Sequence, residues 1–239
     1  MKLLAFETAT EACSVGLHVD GQVLERFELA PRRHAELSLP WAEQLLAEAG
    51  IARSQLDAIA LGRGPGAFTG VRLAIAIAQG IALALDRPLL PVSTLHTLAL
   101  RAPEDAGQVL ASIDARMGEV YAARFLRQAD GSLQLEGQEV VIAPDALELP
   151  VGDMQWAGIG PGFGAVEGAL AARLQGRLAS VDAQALPRAS DVLKIAVPAF
   201  ARGEAIAPEL VQPAYLRDNV ALTLVEQQAL RAAKNAAAP

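Results

Sequence analysis

The residues with the clearest potential for chemistry are the glycines of residues 62–70, which have the sequence Gly-Arg-Gly-Pro-Gly-Ala-Phe-Thr-Gly. A short predicted strand, residues 57–61, precedes them, and an apolar run follows. Such a strand–loop–helix unit can present free backbone N–H groups to an anion. The Gly-Lys-Ser/Thr ending of a phosphate loop is missing, and residues 3–142 contain no lysine. Taken alone, the loop therefore favours a structural turn, with positive φ and close backbone approach, over nucleotide binding.

Other side chains that could do chemistry are scattered along the chain. The three histidines, His18, His34 and His96, form no pair with metal-ligand spacing, so we expect each to have a structural or surface role. Glu7 and Asp114 end the first predicted strand of each half, but neither is followed by a Gly-Thr/Ser pair that could cradle a phosphate. The residues alone therefore predict no catalytic set, no metal site and no cofactor.

Composition restricts the function classes further. The 239 residues carry a net charge of −7, which argues against RNA binding by the chain alone but allows membership in an RNA-modifying complex. The single Cys13 excludes an internal disulfide, and residues 1–10 lack the features of a signal peptide. We therefore expect a cytoplasmic protein.

The hydrophobic pattern predicts the elements that must position these residues. In the first half it predicts strands at 3–6, 12–19, 22–29, 57–61 and 89–92, and helices at 34–49 and 71–85. In the second half it predicts strands at 109–114, 120–127, 133–142 and 155–159, a helix that ends at Leu174 and another over 190–201. A closing helix is expected within residues 218–235 and could return to the first half.

The glycine loop has a counterpart in the second half of the chain. Gly160-Pro161-Gly162-Phe163 follows one predicted strand as Gly64-Pro65-Gly66 follows another. An internal duplication is therefore indicated, with a first lobe at residues 1–100, a second at residues 101–217, and a βββαβα order in each. Two such lobes across a cleft form the actin-like ATPase (ASKHA) fold, so the predicted class is two-lobed α/β. A fold of this kind does not by itself set the function.

The helix after the first glycine loop is apolar almost all round, because residues 71–85 contain only Arg72 and Gln79 as polar residues. Its small residues form two stripes at helical spacing, Gly70, Ala74, Ala78 and Ala82 in one and Ala76, Gly80 and Ala84 in the other. A helix of this kind must be covered on nearly all sides. The helix therefore predicts a protein partner whose own helix approaches closely. A membrane span is disfavoured, because the run is shorter than the roughly 20 residues that a bilayer requires.

Six motifs together carry a resemblance over nearly the whole chain. They are Phe6-Glu7-Thr8-Ala9-Thr10, His34-Ala35-Glu36, Gly64-Pro65-Gly66-Ala67-Phe68-Thr69-Gly70-Val71-Arg72, Pro91-Val92-Ser93-Thr94-Leu95, Ile113-Asp114-Ala115-Arg116-Met117-Gly118-Glu119-Val120-Tyr121 and Pro213-Ala214-Tyr215-Leu216-Arg217. In these motifs the chain resembles the bacterial TsaB (YeaZ) family. These are actin-like proteins of tRNA threonylcarbamoyladenosine biosynthesis, once labelled glycoproteases.

The resemblance implies a non-catalytic protein. The catalytic relative, TsaD, carries a Val-Asn-His-x-x-x-His motif whose histidines hold a metal. The equivalent stretch here, residues 92–98, has Thr94 and Leu98 at the two histidine positions, and His96 lies between them. A metal site that has lost two ligands should not form.

The resemblance also implies partners. The family pairs with TsaD, and with the ATPase TsaE, so that TsaD can transfer a threonylcarbamoyl group to the adenosine beside the tRNA anticodon. Pairing uses the first-lobe helices, which correspond here to residues 34–49 and 70–85. The candidate partner-binding residues on them are Leu37, Trp41, Leu45, Arg72, Leu73, Ala76, Gln79, Gly80 and Leu83. Without its partner the chain is expected to form a homodimer, and to meet tRNA only through the complex.

Two other functions stay open from the residues. One is a metal-dependent, glycoprotease-like peptidase, which lacks ligands. The other is a stand-alone actin-like kinase of small molecules, which would need phosphate loops and a magnesium carboxylate, for which Asp114 is the one candidate.

Overall fold

The computed structural model describes residues 1–217, and its first half is built around a five-stranded mixed sheet. The strands are β1 (Lys2–Glu7), β2 (Ala12–Val19), β3 (Gln22–Leu29), β4 (Ala58–Gly62) and β5 (Leu89–Val92), in the order β3-β2-β1-β4-β5. β1 pairs antiparallel with β2 and parallel with β4. All five strands were predicted within two residues of these bounds.

The second half repeats this sheet. Its strands are β6 (Gln108–Arg116), β7 (Glu119–Arg127), β8 (Leu133–Ile142), β9 (Trp156–Ile159) and β10 (Leu178–Asp182), in the order β10-β9-β6-β7-β8. Counted from the other edge, this order matches that of the first sheet, and β6 pairs antiparallel with β7 and parallel with β9. The shared topology confirms the two-lobed actin-like fold.

Helices cover both faces of the first sheet. α1 (His34–Glu48) and α2 (Phe68–Leu85) pack on one face, in a core that includes Phe6 and Leu17. α5 (Ala189–Ala201) packs on the opposite face, against Leu3 and Ala5. α3 (Thr94–Ala99) and α4 (Ala169–Arg173) pack on opposite faces of the second sheet.

Three details of the predicted organisation are corrected. The division at residue 100 assigned α5 to the second lobe, but its apolar face lies on the first sheet. The second lobe lacks a counterpart of α1, because a single turn, Pro144–Ala146, connects β8 to β9. The helix predicted to end at Leu174 is only the five residues of α4. The βββαβα order is therefore complete only in the first lobe. The closing helix predicted within residues 218–235 lies outside the described residues.

Candidate partner-docking site

The first glycine loop is closed by the chain's own backbone. The N–H of Ala67 donates to the carbonyl of Ala9 at 2.7 Å. A Cβ atom on Gly66 would lie 2.4 Å from the same oxygen, and one on Gly70 would lie 2.0 Å from the carbonyl oxygen of Thr8. Glycine is therefore required so that the loop can pack on the turn between β1 and β2, as the structural interpretation of the loop predicts.

Glu7 is an internal carboxyl group rather than a ligand of the cleft. Its side chain is buried, its Oε1 accepts from the N–H of Ala9 at 2.8 Å, and its Oε2 accepts from the Thr94 hydroxyl at 3.2 Å. Burial raises the pKa of Glu7, and these hydrogen bonds lower it by less, so that the pKa is raised to about 7. Asp114, its counterpart in β6, accepts instead from the backbone N–H of Arg116 at 2.7 Å.

The side chains at the positions that correspond to the metal ligands of TsaD pack in the interior of the protein. Thr94 and Leu98 are both fully buried, Thr94 against Glu7 and Leu98 in the core of the second sheet. The ring of His96 stacks on Phe125 at a centroid distance of 5.1 Å, and burial lowers the pKa of the imidazole. Within residues 1–217, no group of three His, Cys, Asp or Glu side chains could hold a metal ion.

A cleft of about 530 Å³ opens between the first glycine loop, α3 and β8. Its polar wall includes Ser93 and Glu139, and the Ser93 hydroxyl donates to the Glu139 carboxylate. Arg63 lies 4.0 Å from that carboxylate. The lining also contains His96, Gln138 and Tyr215, so the cleft is bordered by both apolar and polar side chains.

The two small-residue stripes of α2 face opposite ways. Gly70, Ala74, Ala78 and Ala82 are buried against the first sheet, and we call them the inner stripe. The second small-residue stripe, Ala76, Gly80 and Ala84, lies on the opposite, exposed face together with Phe68, Arg72 and Leu83, and we call this face the outer stripe. A Cβ atom on Gly80 would meet nothing within 4 Å, and Leu83 is 69% exposed. The outer stripe therefore combines apolar character with open space for a neighbouring helix.

The length argument against a membrane span is corrected by the structure. α2 has 18 residues with a mean hydropathy of 1.7, so by length and composition it could cross a bilayer. Its inner stripe nevertheless forms part of the core of the first lobe, although only 33% of the helix is buried. The packing of the helix, not its length, argues against a span.

The remaining predicted partner residues differ in their availability. Leu45 is fully buried in the first-lobe core, so it cannot contact a partner and is removed from the candidate surface. Leu37, Trp41 and Leu73 are half-buried. The docking candidate is therefore centred on α2, with α1 at its edge.

A segment that the sequence did not predict lies along α2. Residues 206–217, which we call the strap, follow α5 in the chain and begin at Ile206, which forms a β-bridge with Leu89 of β5. The Gln79 side chain donates to the carbonyl of Pro208 at 2.8 Å, and Arg72 donates to the Tyr215 hydroxyl at 2.9 Å. Two polar residues of α2, Arg72 and Gln79, therefore hold the strap beside the outer stripe.

The duplicated sheets define a protein of the two-lobed actin-like class. A family model described as TsaD, tRNA N6-adenosine threonylcarbamoyltransferase, matches residues 27–224. The tRNA threonylcarbamoyladenosine biosynthesis protein TsaB of Escherichia coli K12 is 43% identical over 92% of this chain and 96% of its own length. That of Haemophilus influenzae is 36% identical over 92% of this chain and 95% of its own.

A solved structure agrees with these relatives. YeaZ from Pseudomonas aeruginosa superimposes with a TM-score of 0.83 and 48% identity, covering 90% of this chain and 99% of its own. The chain belongs to the TsaB (YeaZ) family, and the resemblance carried by its motifs is confirmed.

Proposed function

We propose that the chain is a non-catalytic subunit that binds TsaD, together with TsaE, and activates TsaD for threonylcarbamoyl transfer to the adenosine beside the tRNA anticodon. The observation that carries this proposal is the outer stripe of α2. The relatives support the pathway, since they are named for tRNA threonylcarbamoyladenosine biosynthesis. A pathway that acts on tRNA also supports a cytoplasmic location.

The outer stripe has the properties of a helix-docking surface. Phe68 and Leu83 are 60% and 69% exposed, which leaves large apolar side chains in water at the two ends of the stripe. Ala76 and Gly80 lie between them and have small side chains, so the axis of a second helix can approach closely. The matching helix of TsaD is the proposed occupant. In its absence, a second copy of this chain can cover the same face symmetrically.

A non-catalytic role is supported by what Thr94 and Leu98 do. Thr94 donates its hydroxyl to a buried carboxyl group, and Leu98 fills the core of the second sheet. Neither side chain is free to act on a substrate, and neither is a residue type that holds a zinc or iron ion.

The two alternatives have weaker support. A kinase would need a carboxylate for magnesium, but Glu7 is buried and bonded, and Asp114 bonds Arg116. A peptidase would need metal ligands at positions 94 and 98. Hydrolysis of ATP by the isolated chain would favour the kinase, and one zinc or iron ion per purified chain would favour the peptidase.

The direct test is binding to TsaD with a charge placed on the outer stripe. Leu83→Glu should weaken binding by about tenfold or more, because a carboxylate would be buried without a partner. Val151→Glu, at a fully exposed position of the second lobe, is the matched control and should bind as the parent does. Titration calorimetry measures both affinities, and reconstituted tRNA modification shows whether activity follows. Parent-like binding and modification with Leu83→Glu would contradict the proposal.

A further inference from the structure

The hairpin between β6 and β7 places an apolar side chain where its backbone favours a polar one. Arg116 pairs with Glu119, so Met117 and Gly118 form a two-residue turn with φ of 56° and 79°. Turns with positive φ at both positions prefer Asn-Gly or Asp-Gly. Met117 is nevertheless 81% exposed, so it violates this local preference without gaining burial. Such conflicts are expected where a residue serves a function.

Arg217, at the end of the strap, fixes the tip of this hairpin. Its guanidinium donates to the carbonyls of Ala115 at 3.2 Å and Arg116 at 3.4 Å, and to the carboxylate of Glu119. It also lies 3.3 Å from the sulfur of Met117. A tip held in this way loses less conformational entropy when it binds, which favours a role as a preorganised contact.

The tip is continuous with the outer stripe through the strap. The guanidinium of Arg72 lies 3.4 Å from the ring centroid of Phe68 and bonds Tyr215, which is 54% exposed. Two residues later, Arg217 reaches Met117. Three exposed apolar side chains, Phe68, Tyr215 and Met117, are thus connected from α2 across the strap to the second lobe.

The charges of this surface favour a protein as its occupant rather than RNA. Arg116 pairs with Asp114 at 2.8 Å, and Arg217 pairs with Glu119. Arg72 is occupied by the Phe68 ring and the Tyr215 hydroxyl. A phosphate backbone needs basic groups that are not already neutralised. Exposed apolar and aromatic side chains beside paired arginines have the composition of a protein interface.

We propose that the docking surface of α2 continues over Tyr215 to the β6–β7 hairpin, where Met117 is an apolar anchor for the same TsaD molecule. This inference rests on the proposed function and extends it. TsaD then contacts both lobes, and its binding depends on the position that the strap sets for the second lobe relative to α2.

The test is Met117→Asn in the full chain. Asparagine suits the left-handed turn, so the variant should unfold at the parent's temperature or above. If Met117 is an anchor, the affinity for purified TsaD should fall by about tenfold or more. Met154→Asn replaces another exposed methionine of the second lobe, outside this surface, and should bind as the parent does.

The outcomes separate this inference from the proposed function. Parent-like affinity with Met117→Asn, while Leu83→Glu weakens binding, overturns the anchor and leaves the proposed function standing. Parent-like affinity with both variants overturns both. If Met117→Asn lowers only the melting temperature, only homodimer formation, or only binding to tRNA without TsaD, Met117 serves another contact and the inference is wrong.

Discussion

The variant Gly80→Leu distinguishes an effect on docking from an effect on folding, because we expect it to weaken partner binding and to stabilise the fold. A Cβ atom at this position meets nothing within 4 Å, so the chain itself accommodates the larger side chain. Leucine is also the better helix former, which should stabilise the fold by about 0.5–1 kcal/mol. The melting temperature should therefore rise by a few degrees, about 2–4 °C per kcal/mol for a chain of this size.

Binding to TsaD should weaken in the same variant. If a partner helix lies close to Ala76 and Gly80, the leucine side chain enters a space that the partner fills. Overpacking of this kind costs about 1–3 kcal/mol, or roughly a five- to hundredfold loss of affinity. Gly80→Ala is the matched control, because it gives the same gain in helix propensity with little added bulk.

The assay combines thermal unfolding, titration calorimetry with TsaD and reconstituted tRNA modification for the parent and both variants. The reasoning predicts two stabilised proteins, of which only Gly80→Leu binds weakly and modifies tRNA poorly. A stable Gly80→Leu chain with parent-like affinity would show that Gly80 does not face the partner. The docking surface would then have to be sought at the half-buried residues of α1.

Three further predictions concern the chain on its own. The pKa of Glu7 is raised from 4.5 to about 7, so the folded state loses stability relative to the unfolded state as pH rises through this interval. Glu7→Gln should therefore be more stable than the parent by up to ~3 kcal/mol at pH 8, and it should gain no stability below pH 4.5. Denaturant titrations at both pH values measure this, and equal gains at the two would refute it. Gly70→Ala should destabilise the fold by about 1–3 kcal/mol or more, because its Cβ would lie 2.0 Å from the Thr8 carbonyl oxygen. Gly80→Ala is the control, since it should stabilise the fold. An unchanged melting temperature of Gly70→Ala would contradict the predicted clash. Without TsaD, the exposed outer stripe should produce a homodimer in light scattering, and a clean monomer at high concentration would count against this.

The strands of the first lobe were predictable because local signals and the tertiary environment agree. β2 and β3 alternate between apolar and polar residues on either side of Asp20-Gly21, and both residues adopt the positive φ that this turn needs. β10 was missed because it is a largely exposed strand at the edge of the second sheet, where burial imposes no pattern. Its pairing with β9, which is a non-local contact, makes it a strand.

The candidate surface was only partly predictable for a related reason. Helical spacing groups the small residues of α2 into two stripes, but each consists of alanines and one glycine, and only the packing on the sheet decides which one is buried. Leu45 has the composition of a contact residue and lies instead in the core. The strap has no periodic pattern, because it is held by separate contacts along its length, among them the bridge between Leu89 and Ile206 and the bonds from Arg72 and Gln79.

The carbonyl of Ala9 occupies, at one N–H of the first glycine loop, the place that a ligand would have in a nucleotide-binding loop. In a nucleotide-binding loop, N–H groups exchange between ligand and water, so the loop can report on nucleotide concentration. Here the Ala67 N–H is bonded to an oxygen that is covalently part of the same chain, and this bond is present whatever the supply of ATP. This N–H of the first glycine loop is therefore occupied by the chain itself, and it cannot serve as a donor to a bound anion while the loop keeps this contact.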